Sequence, residues 1–122
     1  MASTPGESPV DLGQARTRLE QERIRVESLM RDLRASVSER EGEADAQPTT
    51  FDPADAASDT VQRTEDLSIL ESLETELGEI DAALARVADG TYGIDQLTGE
   101  PIDPARLEAV PTARTNVTGR DR

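Results

Sequence analysis

At 122 residues the chain is long enough for one domain, or for one elongated element with a small appendage. Hydrophobic residues make up 34% and aromatic residues 2%, with Phe51, Tyr92 and no Trp, which excludes a thick globular core. A formal charge of −13 argues against a protein that itself grips a phosphate backbone, and the absence of Cys excludes disulfides and thiolate metal sites.

Residues 1–10, "MASTPGESPV", are small, polar and broken by Pro and Gly, and read as a disordered tail. They do not form a signal peptide, and no apolar run approaches the ~18 residues of a membrane span, so a cytoplasmic protein without membrane contact is expected. Asp11 followed by Gln14 predicts a helix start with a capping-box partner. That helix is expected to run to about Arg40. Leu12, Leu19, Val26 and Leu33 recur at heptad spacing, with Leu29 and Val37 on the intermediate line, which predicts a coiled-coil seam.

"EGEADAQPTT" at 41–50 is acidic and carries Gly42 and Pro48, so a loop is expected there. A second helix follows from about Pro53 to Ala88. Leu70, Leu73, Leu77, Ile80, Leu84 and Val87 alternate spacings of three and four, and Gly90 is a natural stop. Two helices of similar length joined by a short loop are expected to fold back antiparallel over residues 11–89, each roughly 45–50 Å long. The charges are unequal: Asp11 to Arg40 holds seven Arg against six acids, and Asp52 to Asp89 eleven acids against Arg63 and Arg86. Periodicity alone favours a plain structural hairpin or a dimerising coiled coil, and the acidic balance favours a basic protein surface as partner.

The turn at about 41–57 ends in "FDPADAASD". Asp52 before Pro53 reads as an N-cap with Pro at the first helical position, and Asp55 meets the positive helix end. Capping explains both aspartates. It also fixes where they point, so a slim tip flanked by Ala54, Ala56 and Ala57 is equally a device for presenting negative charge. Two carboxylates without a third ligand make a poor cation site.

"GTYGIDQLTGEPI" at 90–102 turns at Gly90, Gly93 and Thr98–Gly99. A knuckle this small usually needs a metal or a disulfide. Tyr92, Ile94, Leu97, Ile102, Leu107 and Val110 are its candidate core. "DPARLEA" at 103–109 predicts a short helix capped by Asp103 with Pro104 first.

Taken together, the hairpin, the tip "DPADAA" and the run from "ASDTVQRTEDL" to "PTARTNV" resemble the DksA/TraR family of bacterial transcription factors over about residues 11–119. The likeness is most specific in "DGTYGI", "GEPI", "ARLEA" and "PTARTNV". It implies an all-α fold: a long antiparallel coiled-coil hairpin with a small C-terminal zinc-finger-like knuckle over residues 90–122. In that family a four-cysteine zinc finger follows the hairpin. Its ligand positions fall on Asp95, Thr98, Asn116 and Gly119, so a cysteine-less finger without zinc is expected. Offsetting a structural zinc means replacing on the order of 10 kcal/mol of binding free energy.

The resemblance further implies a non-enzymatic regulator that binds RNA polymerase core or holoenzyme and inserts its coiled-coil tip into the secondary channel. No direct nucleic-acid contact is implied. The family's tip pattern Asp-x-x-Asp-x-Ala falls on Asp52, Asp55 and Ala57. Some members work with ppGpp. From Leu67 to Ala85 this chain has no basic residue, so ppGpp co-binding is not expected. A monomer is expected, and the alternative is a self-associating coiled-coil adaptor with a decayed finger. With no His, Cys or Lys, an enzyme is the weakest option.

Overall fold

The computed structural model describes residues 11–46 and 53–116, with side chains described at 11–40 and 57–116. It contains three helices: α1 (Leu12–Ala46), α2 (Pro53–Asp89) and α3 (Pro104–Ala109). The expected tail at 1–10, Phe51, Asp52, Gly119 and the last residues lie outside the described residues. Among the described residues there is no strand, only an isolated bridge between Ile94 and Pro101. No described helix is long and apolar enough to cross a membrane.

α1 begins as its sequence predicts, with the Asp11 carboxylate accepting from the Gln14 N–H at 3.1 Å. It ends later than expected, at Ala46 rather than near Arg40. Gly42 costs about 1 kcal/mol in a helix, which the surrounding Glu and Ala offset, and Pro48 disfavours helix at the residue before it. α2 ends at Asp89. Gly90 takes φ +83°, and Thr91 and Tyr92 both donate backward to the Arg86 carbonyl at 2.9 and 3.1 Å. A Cβ on Gly90 would meet nothing, so the backbone angle and not the space requires glycine.

The residues fall into two compact units that cut across the hairpin–knuckle division. The terminal unit comprises Met1–Arg23 and Glu79–Arg122, and the middle unit comprises Ile24–Gly78. In the middle unit a piece of α1 lies antiparallel to a piece of α2, the pairs Arg25–Glu76 and Arg40–Asp66 connecting rising numbers on α1 to falling numbers on α2, and in the terminal unit Arg23 pairs with Asp81.

The α2 seam forms as expected: Leu70, Ile80 and Val87 are buried, and Leu73, Leu77 and Leu84 half-buried. The α1 seam departs from the heptad reading. Ala15, Leu19, Val26 and Met30 are buried, whereas Leu12 and Leu29 are exposed. A strict seven-residue line drifts around a 3.6-residue helix, and the added step of four from Val26 to Met30 corrects the drift.

The knuckle is expected to bury six apolar residues but buries only half of them. Tyr92, Ile102 and Leu107 are enclosed with Ala113, whereas Ile94 and Val110 are partly exposed and Leu97 is 78% exposed. Leu97 sits in the turn closed by Asp95, which ties its N–H inward and leaves its side chain outside. The short helix is as predicted: Asp103 accepts from the Ala105 N–H at 2.9 Å with Pro104 first.

Candidate functional site

Two places carry the sequence-predicted site residues, one in each unit. In the middle unit, Asp55 is the third residue of α2 and Ala57 the fifth, and Ala57 is exposed. Asp52 lies outside the described residues.

Behind the tip lies a polar network that the sequence reading missed. Asp66 is only 3% exposed. Its carboxylate accepts from Arg40 across the helix pair and from Gln62 Nε2 at 3.0 Å one turn earlier. Arg40 also donates to Ser36 Oγ at 3.3 Å. Burial pushes the Asp66 carboxyl up, but the hydrogen bonds from Gln62 and Arg40 and the Arg40 charge outweigh it, leaving the group below its ordinary value. The signal was available: Asp66 lies one step of four before Leu70, on the seam itself.

In the terminal unit, three of the four positions that align with the family's zinc ligands meet at one carboxylate. Asp95, 4% exposed, accepts from the Leu97 and Thr98 N–H groups through Oδ1 at 2.7 and 3.1 Å. Its Oδ2 accepts from the Asn116 N–H at 2.8 Å. Asn116 in turn accepts from the Asp103 N–H at 2.7 Å and donates to the Pro101 carbonyl at 3.0 Å. Thr98 Oγ1 accepts from the Glu100 N–H at 3.2 Å, and Thr115 contributes its carbonyl to Arg106 Nε at 2.8 Å. The Asn116 N–H holds the Asp95 carboxyl below its ordinary value; burial opposes this and the Leu97 and Thr98 bonds add to it. Gly119 lies outside the described residues.

This donor set does not fit a four-thiolate zinc site. The oxygens of Asp95 are occupied by backbone N–H groups, Asn116 Oδ1 by Asp103, and the chain contains neither Cys nor His. Among the described residues no group of three His, Cys, Asp or Glu is placed to hold a metal. The carboxylate links the 95–98 turn to residue 116.

Arginines complete the packing around this centre. Arg114 forks onto Glu79 at 2.9 and 2.8 Å, and Tyr92 donates its hydroxyl to the Pro111 carbonyl at 2.8 Å. The Arg114 bond holds Glu79 below its ordinary value, and burial raises that of Tyr92. Arg86 is buried against this segment and donates to the Thr112 carbonyl at 3.4 Å.

With that geometry in place, likeness to known proteins decides the family. No family model matches the chain. A solved structure, transcription factor DksA2 from Pseudomonas aeruginosa, matches with TM-score 0.55 and 33% identity, covering 95% of this chain and 88% of that one. The chain belongs to the DksA family. The RNA polymerase-binding transcription factor DksA of Caulobacter vibrioides is 40% identical over 96 residues, 79% of this chain and 66% of that protein. The chain thus spans about two thirds of that DksA's length. General stress protein 16O of Bacillus subtilis is 41% identical over 64 residues, 52% of this chain and 39% of its own. The DksA names are those of transcription factors, not enzymes.

Proposed function

We propose that the chain is a transcription regulator of the bacterial cytoplasm that binds RNA polymerase as a monomer, without gripping DNA. Its tip, with Asp52, Asp55 and Ala57, enters the secondary channel and modulates initiation. The observation that carries this reading is the 40% identity to a DksA named for binding RNA polymerase. Support comes from the Asp-x-x-Asp-x-Ala pattern at the head of α2 and from the −13 charge, which disfavours a nucleic acid and favours a basic protein surface.

The knuckle works in this reading without zinc, the Asp95 carboxylate taking the linking role. ppGpp has no part, because Glu71, Glu74, Glu76, Glu79 and Asp81 crowd a stretch of α2 that lacks any basic residue.

The test is co-purification with core RNA polymerase, challenged by a known secondary-channel competitor, followed by transcription with Asp52→Asn and Asp55→Asn. Both variants are expected to bind and to lose the effect on open-complex lifetime. If both act like wild type, the tip mechanism is wrong; if wild type does not co-purify, the whole reading is. A chelator that lowers the melting temperature overturns the zinc-free knuckle, and tighter polymerase binding with ppGpp overturns its exclusion.

A second reading, a self-associating adaptor, draws on exposed Ile24, Val61, Leu67 and Ile69 in the middle unit. Light scattering separates the two, since a stable dimer favours the adaptor.

A further inference from the structure

The seam of the middle unit changes character at a single level. On α2 the alternating steps of Leu77, Leu73 and Leu70 continue to Asp66, and on α1 those of Val26, Met30, Leu33 and Val37 continue to Arg40. Both lines therefore pass from apolar residues to opposite charges where the two helices face each other, and Arg40 meets Asp66 there. From that level toward the tip, the helical sequence at 41–46 and 53–65 offers one large apolar residue, Val61, and it is exposed. Among the described side chains at 57–65 no apolar residue is buried.

An aliphatic seam is nearly indifferent to sliding by one repeat, because each Leu finds another Leu or Val. A buried carboxylate paired with a half-buried arginine is satisfied in one register only. A slip by seven residues seats Asp66 beside Leu33 and leaves a buried carboxylate without Arg40, while Gln62 cannot neutralise its charge. We propose that Arg40 and Asp66 are positioning residues: their contact in the seam selects a single register of α1 against α2 in the middle unit and so fixes where Asp55 stands. A one-repeat slip displaces the head of α2 by roughly 10 Å. The consequence for transcription rests on the proposed function; the register itself does not.

The chain has no Cys, so Glu39→Cys and Thr75→Cys, both at exposed positions of this unit and well apart along the helix pair, accept one spin label each without further changes. The wild-type background is expected to give one narrow interlabel distance. Asp66→Asn, and the apolar pair Arg40→Leu with Asp66→Leu, are expected to add a second population displaced by about 10 Å. The charge swap Arg40→Asp with Asp66→Arg is expected to restore the single distance. The apolar pair keeps the helices folded, so helix loss does not mask the result.

With RNA polymerase, Asp66→Asn is expected to bind within about threefold of wild type but to lose about tenfold or more of the effect on open-complex lifetime, since misplacement by far more than 1 Å is punished at this scale. The swap recovers the effect. A single unchanged distance in the apolar pair overturns the proposal, and so does a displaced register with full transcriptional effect. If wild type fails to bind polymerase, the functional reading falls while the distances still decide the register.

Discussion

In the middle unit, α1 and α2 are held by an aliphatic seam whose members are interchangeable, with Val26, Met30 and Leu70 the buried apolar residues among those described. In the knuckle of the terminal unit, few side chains are apolar and each has a separate task. Asp95 gathers three N–H groups, Asn116 bridges Asp103 and Pro101, and Tyr92 fastens Pro111. The seam tolerates conservative exchange because its stability is spread over many similar contacts. The knuckle concentrates its stability in a few directed bonds, which fail when one partner is removed. Regular periodicity suffices to build the first kind of structure. The second depends on individual atoms.

The largest effect that sharpens this contrast is predicted at Ile102, which is 1% exposed at the centre of the knuckle. Ile102→Ala is expected to cost about 2–5 kcal/mol in denaturant unfolding, whereas Leu97→Ala, at an exposed turn position, should stay within about 0.5 kcal/mol. Equal costs at the two positions would break the assignment of the core.

Asp95→Asn comes next. It places an amide where a carboxylate collects donors, so amide exchange at Leu97, Thr98 and Asn116 should accelerate by about tenfold or more, while the helical signal stays near that of wild type. Retained protection at Asn116 would show that the carboxylate does not join the two segments.

Acid titration tests the same groups. Asp66, Glu79 and Asp95 are held below their ordinary values in the fold, so the unfolded chain binds more protons as the pH falls. Their contribution is fully present above the ordinary carboxylate range, about pH 4, and is lost as the pH falls below it through the depressed folded values. Circular dichroism should show melting temperatures flat from neutral pH to about 5 and falling below 4, with a shallower fall in Asp95→Asn and Asp66→Asn. A rise in stability toward acid would contradict the hydrogen bonding described.

A smaller effect than at Ile102 is expected at Tyr92→Phe, which keeps the buried ring and removes one bond to the Pro111 carbonyl, at about 1 kcal/mol. A cost as large as that of Ile102→Ala would mean that the hydroxyl, not the ring, holds this corner.

The two helices, the Asp11 and Asp103 caps, the stop at Gly90, the turn at Gly99 and the α2 seam were all legible, because each depends on neighbours in sequence or on a fixed spacing along one helix. The extension of α1 to Ala46 was not, since Gly42 reads as a breaker in isolation yet is carried by its neighbours. At the candidate sites, the positions Asp95, Thr98 and Asn116 came from likeness to the family's finger. The direction of each bond among them did not, because it depends on where residue 116 returns to residue 95. The seam position of Asp66 is legible from its step of four before Leu70, but its partner shows only once Arg40 lies opposite it.

The sequence by itself determined the presence of the helices, the Asp11 and Asp103 caps, the excess of negative charge and the impossibility of thiolate chemistry, all of them properties of composition and short-range spacing. Only the tertiary structure decided that Leu97 faces out, that Met30 rather than Leu29 enters the seam, that Arg40 neutralises Asp66 and that one carboxylate ties residues 95–98 to 116. Burial and partnership are relations between segments distant in the chain, and a charge or an apolar side chain acquires its energetic meaning only from what the fold brings beside it.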